Sequence, residues 1–121
     1  MARSKQKLQV IFFKTKIGNE PAREWLLELG KAERKAIGSD ILKVQYCWPI
    51  GRPLVGGLGD GLWEVRTRLG DRIARVIFCV QDKTIVLLHG FIKKTQKVPK
   101  HELDLATKRR DLLNAKDDDE D

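Results

Sequence analysis

Two tight turns constrain this chain more than any other feature. Between Gly61 and Lys97 it reads GLWEVRTRLGDRIARVIFCVQDKTIVLLHGFIKKTQK, and Gly70-Asp71 and Asp82-Lys83 interrupt an alternation of apolar and polar residues. Alternation sends successive side chains to opposite faces of a sheet, and a two-residue turn permits only an antiparallel return. The stretch therefore predicts three neighbouring antiparallel strands over about 62–69, 72–81 and 84–92.

The flanks predict the remaining elements. Leu8 to Lys14 (LQVIFFK) is β-branched and aromatic and reads as a first strand. Asn19 suits an N-cap, with Pro21 in the first helical turn, where its missing N–H costs nothing. That helix carries Trp25, Leu26 and Leu29, and Gly30 is the expected C-cap. A second helix over about 31–46 uses Ile37, Ile41, Leu42, Val44 and Tyr46, and the short link makes the two a helical hairpin. Trp48 to Asp60, rich in proline and glycine, reads as a loop. A last helix is expected over about 100–114, with Leu103, Ala106, Leu112 and Leu113 as its apolar members. The five acids of 117–121 read as a disordered tail behind a single domain over 1–116. The expected fold class is α+β.

Charge narrows the partners. The net charge is +7, and it rises to +12 once the five tail acids are set aside. A basic body of this size favours nucleic acid or another acidic partner. Cys47 and Cys79 stand in apolar surroundings, and the two histidines and two cysteines have no metal-ligand spacing. No cofactor motif and no metal site is expected. The start MARSKQKLQ has no apolar segment of signal-peptide type, so a reduced, cytoplasmic protein away from the membrane is the expectation.

Sorting the strands by face isolates the candidate site. Trp63, Val65, Thr67 and Leu69 share one face with Ala74, Val76, Phe78 and Val80. Glu64, Arg66 and Arg68 share the other with Ile73, Arg75, Ile77 and Cys79. The apolar face is expected to pack on the helices, leaving Arg66 and Arg75 together on an open face. Each guanidinium is a planar fork of donors suited to phosphate. The bland alternative pairs an arginine with Glu64. Arg68, close to the turn, is a peripheral RNA contact or simply a solvated charge. Lys93, Lys94, Lys97 and Lys100 follow with no acid between them, as cations that neutralise phosphates without reading sequence. Phe91 either stacks on a base or belongs to the core, and the alternation favours the core. His89 can serve as general base or acid near neutrality, although a lone strand histidine is more often structural. Glu64 is the fallback base, and His101 is the weaker histidine. Gly90 marks a bulge or a close backbone approach.

The segments GLWEVRTR, ARVIF and VLLHGFIKKTQKVP, with Ala106 and Arg109 forming A-x-x-R in the last helix, resemble the phage-derived HigB-like branch of the RelE/ParE toxin superfamily. The resemblance runs from Val10 to about Leu113. It implies a RelE-like fold, with an N-terminal strand and helical hairpin packed on a twisted antiparallel sheet and followed by a C-terminal helix. It also implies the toxin of a type II toxin–antitoxin pair, an endoribonuclease that cleaves mRNA, usually on the ribosome. A small helix–turn–helix antitoxin would neutralise it. Arg66 and Arg75 match basic positions of the family's sheet face, Lys93 and Lys94 its basic segment after the strand, and His89 the histidine before Gly-Phe. Many RelE-like nucleases have a tyrosine or acidic-histidine catalytic element near the C-terminus, whereas the one tyrosine of this chain, Tyr46, stands in the second helix far from this block, and its C-terminal acids fall in the expected tail. Two other readings remain open: a ParE-like DNA gyrase inhibitor that acts by binding, and a non-catalytic RNA-binding protein.

Overall fold

The computed structural model describes residues 7–94 and 97–119. Its elements are β1 (Gln9–Phe12), α1 (Pro21–Leu27), α2 (Lys31–Cys47), β2 (Val55–Gly59), β3 (Leu62–Leu69), β4 (Arg72–Gln81), β5 (Thr84–Lys93) and α3 (Lys100–Asp119). The strands form one five-stranded sheet in the order β1-β5-β4-β3-β2. The architecture is α+β.

The two turns act as expected. Gly70 takes a positive φ of 67°, which glycine adopts without steric cost, and the β3–β4 ladder sets Leu69 opposite Arg72 and Arg66 opposite Arg75. At the β4–β5 turn both Asp82 (φ 50°) and Lys83 (φ 62°) are left-handed, as a type I′ turn requires, although Lys83 is poorly suited to it. A third hairpin lies where a loop was expected. Asp60 (φ 57°) and Gly61 (φ 77°) turn the chain from β2 into β3, so the second half of the glycine-rich segment is a strand.

The sheet is mixed rather than antiparallel. β1 runs parallel to β5, pairing Gln9 with Thr84 and Phe12 with Leu87, which a chain with two helices between strands can do without a tight turn. The helical hairpin also starts differently. Glu20 is the N-cap residue of α1 rather than Asn19, and Gly30 caps the start of α2 rather than the end of α1. α3 continues past Asn114 to Asp119, so 117–119 extend the helix instead of leaving it as a tail; Glu120 and Asp121 lie outside the described residues.

Both faces of the sheet are covered. α1 and α2 pack on Val65, Ala74, Val76, Phe78, Ile85 and Leu87 through Ala22, Ile37, Ile41 and Val44, with Trp48 edge-on to Trp63 and Phe78. Each such fully buried aliphatic or aromatic side chain contributes about 1.5–3 kcal/mol. Gly90 lies directly under Trp25 of α1, whose ring would sit 2.3 Å from any Cβ placed there. On the opposite face α3 lays Leu103, Ala106 and Leu113 over Ile77, Cys79, Val86, Leu88 and Phe91. The face expected to be open is therefore roofed over much of its area. The reason is its apolar share: Ile77, Cys79 and Phe91 need a cover as much as the other face does. Among the described residues no helix is long and apolar enough to cross a membrane.

Candidate nucleic-acid site beneath α3

Strand register arranges the α3 face as rows across β3, β4 and β5. One row is Glu64–Ile77–His89, the next Arg66–Arg75–Phe91, and the outermost Arg68–Ile73–Lys93. A β-bulge on β5 makes this possible: Ile77 pairs with His89 but Phe78 pairs with Leu87, so Leu88 is the extra residue. The bulge re-aims β5 and brings His89 onto the same face as Glu64 and Arg75.

The middle of this grid is buried and charged. Arg75 is 0% exposed and its Nε lies 3.6 Å from the Glu64 carboxylate, itself only 5% exposed. That distance is an ion pair, longer than a good hydrogen bond. Burial pushes the Glu64 carboxyl above its usual range, against the pull of Arg75, Arg66 and Arg52. Burial likewise lowers the Arg75 guanidinium, with Glu64 opposing. The pairing with Glu64, the bland alternative in the sequence, is the geometry adopted by Arg75, and the guanidinium does not reach solvent. Its charge acts through the field it adds beneath the surface.

His89 is held from both sides by α3. Its Nε2 lies 2.7 Å from Glu102 Oε1, and its Nδ1 lies 3.3 Å from Arg109 Nη1. An arginine only donates, so Nδ1 carries the lone pair and the Nε2–H donates to Glu102. Arg109 also donates to the Leu88 carbonyl at 2.7 Å, tying the helix to the bulge. Burial lowers the pKa of His89, Glu102 opposes by its hydrogen bond and charge, and Arg109 and His101 lower it further. The result is a neutral imidazole of fixed tautomer. Glu102 and Arg109 escaped sequence reasoning as a pair. Their separation of seven residues places both on one helical face, and that spacing was the available signal.

The accessible cations ring this centre. Arg66 is half-buried at the sheet edge, Arg68 is exposed, and Lys93 is half-buried. Lys94 is largely exposed and pairs with Asp71 at 3.1 Å, an interaction worth at most about 1 kcal/mol in solvent. Lys97 and Lys100 are exposed on the approach to and start of α3, and Lys100 pairs loosely with Asp104 at 3.5 Å. Phe91 is 6% exposed in the core under α3, so it presents no free ring face. The structure thus groups Arg66, Arg75, His89, Lys93 and Phe91 on one face, with Arg68 beside them, and leaves Lys94, Lys97 and Lys100 at the periphery. Among the described residues no cluster of His, Cys, Asp and Glu could hold a metal ion.

The model of the phage-derived Gp49-like protein family (DUF891) matches residues 24–111, well over half of the chain. The chain belongs to this family. The Gp49-like family is a RelE-like family of type II toxins, and the match spans α2 and every strand of the α3-face grid. No curated protein matches the chain.

Proposed function

We propose that this Gp49-like protein is the toxin of a HigB-like type II toxin–antitoxin pair and an endoribonuclease that cleaves mRNA on the ribosome in the cytoplasm. The supporting observation is the adjacency of two rows: accessible Arg66 with buried Arg75 behind it, next to Glu64 and His89. Cations and proton-transfer groups occupy adjacent rows of a single sheet face, and family membership supports the toxin class.

In this reading the RNA 2′-oxygen attacks the adjacent phosphorus as the bond to the 5′-oxygen breaks, leaving a 2′,3′-cyclic phosphate and a 5′-hydroxyl. Arg66 and Lys93 hold the phosphoryl oxygens, and Arg75 adds positive potential from beneath, where low dielectric enlarges its effect. The His89 Nδ1 lone pair takes the 2′-proton once Arg109 turns from the imidazole towards the phosphate, while Glu102 holds the tautomer and steadies the charged ring. A lysine ammonium, Lys93 or Lys94, returns a proton to the 5′-oxygen. Proton transfer of this kind contributes about 10²–10⁴-fold.

Incubating the purified protein with mRNA and ribosomes and mapping the new RNA ends tests the reading. Cyclic-phosphate ends that vanish in a folded Arg66→Ala variant support it, and undiminished cleavage by folded Arg66→Ala/Lys93→Ala overturns it. One observation favours a second reading, RNA binding without chemistry: both ring nitrogens of His89 are engaged in this structure. Tight binding with intact RNA after long incubation selects it. Loss of DNA supercoiling without mRNA loss selects gyrase inhibition instead. The proposed partner is a small helix–turn–helix antitoxin, expected from a neighbouring reading frame.

A further inference from the structure

A separate cleft opens at the edge of the sheet. β2 leaves β3 after Val55 pairs with Val65, where the Arg66 amide donates to the Leu54 carbonyl at 2.8 Å. Beyond that point β3 is an outer strand. Asp40 and Lys43 of α2 meet Arg66 and Arg68 there across a cleft of about 430 Å³, completed by Pro53, Leu54 and Ile73. That size falls within the usual range of small-ligand sites.

The lining is unusual for a plain anion hole. Neither the Arg66 nor the Arg68 guanidinium makes a hydrogen bond or close ion pair to any described residue. Pro53, Leu54 and Ile73 supply apolar walls suited to a planar ring. Asp40 is the one carboxylate, and its nearest cation, Lys43, stands 3.6 Å away on a side chain that is 64% exposed. Asp40 therefore keeps acceptor capacity facing the cleft. A bare phosphate would be repelled by it. A ligand with donors at one end and a phosphate at the other matches both the Asp40 carboxylate and the arginines.

We infer that this cleft holds a guanosine of the RNA, its base between Pro53, Leu54 and Ile73, its N1–H and N2–H donating to Asp40, and its phosphate on Arg68. The inference rests on the RNA reading above and adds the base that RNA presents. Guanine is selected by its edge. It offers two adjacent donors that one carboxylate accepts together. Adenine and cytosine set a single amine beside a ring acceptor that would face the second carboxylate oxygen, and uracil sets one N–H between two carbonyls. Arg66 belongs both to this cleft and to the row with Arg75, so the guanosine is placed next to the bond to be cut.

Titrating the intact protein with GMP, AMP, CMP and UMP while following amide NMR shifts tests the site. GMP is expected to bind about 10–100-fold tighter than the others, the value of one good bidentate base contact. The shifts are expected at Leu54, Arg66, Arg68 and Ile73. Asp40→Asn, with an unchanged circular dichroism spectrum, should erase the preference, and Arg68→Ala should weaken all four nucleotides alike. Equal binding of the four, shifts centred elsewhere, or a preference retained in Asp40→Asn overturns the assignment. A pentamer UUGUU carrying a 2′-deoxy group at every position cannot be cleaved. It should bind more tightly than GMP and than the corresponding all-uracil pentamer, whereas GMP matching it points to a free nucleotide and overturns the RNA source. Cleavage is read only in the separate RNA-end assay above, so the two readings fail independently. Guanine preference without RNA cleavage leaves the subsite standing and removes the nuclease, and cleavage without guanine preference does the reverse.

Discussion

The two faces of the sheet are both buried, and they are buried by opposite chemistry. Under α1 and α2 the contacts are predominantly apolar, and Trp25 meets the bare backbone of Gly90. Under α3 the sheet hides Glu64, Arg75 and most of His89 among apolar neighbours. Desolvating an ion pair costs several kcal/mol per ion and is repaid only by good geometry. At 3.6 Å the Glu64–Arg75 pair is not close enough to make that face the cheaper way to build a sheet. Both faces stabilise the fold by apolar burial, and the α3 face alone also retains an ion pair that stability by itself would discard.

Substitutions can break this contrast, and the largest effect is expected at the ion pair. Glu64→Ala leaves the Arg75 charge buried and should cost about 3–5 kcal/mol in denaturant titrations, while Glu64→Leu/Arg75→Met should regain most of that loss. A double variant as unstable as the single one would mean the pair is structural, and the contrast would fail. On the other face Gly90→Ala forces a methyl into Trp25 and should cost about 1–3 kcal/mol, with no polar rescue available. Next in size comes a site on neither face. Lys83→Gly relieves a left-handed residue in the β4–β5 turn and should stabilise by about 1 kcal/mol, read as a higher denaturation midpoint.

The smallest effect is on pH dependence. Burial holds folded His89 below the ordinary value of 6.5, so between that depressed pKa and 6.5 the unfolded chain binds more protons than the folded one. Its contribution is complete above 6.5 and is lost as pH falls towards the folded value. Glu64, raised above 4.5, works the other way, since the folded chain holds that proton longer as pH rises. The His89→Asn variant should therefore lose stability less steeply than the parent on acidification from neutrality. Equal slopes in a urea series across that range would show that His89 is not held neutral by its surroundings.

The parts legible in the sequence were those that neighbouring residues decide. Gly70-Asp71 and Asp82-Lys83 carry their own turn chemistry, so strand boundaries and the Arg66–Arg75 pairing followed directly. The Asp60-Gly61 turn has the same chemistry. It was hidden because VGGLG lacks the β-branched alternation that would have marked β2 beside it. The parallel β1–β5 pairing has no local signature, since only the assembled sheet brings Phe12 to Leu87. At the site, alternation sorted the side chains onto the right face but could not report what covers it. The cover comes from α3, through Glu102 and Arg109, and buried Arg75 and the fixed imidazole follow from it.

The placement of β1 has a consequence for the chain's own manufacture. Among the described residues the first strand pairs with β5 alone, some seventy residues later, and the face bearing Arg66 and His89 is completed by Arg109 of α3. Contacts of such long range form late, because loop-closure entropy must be met before they are rewarded. The proposed site is thus incomplete until Arg109 has been made, since the imidazole of His89 is covered and fixed only by α3. A chain stopped before α3 would hold the sheet cations without the helix that turns them into a site.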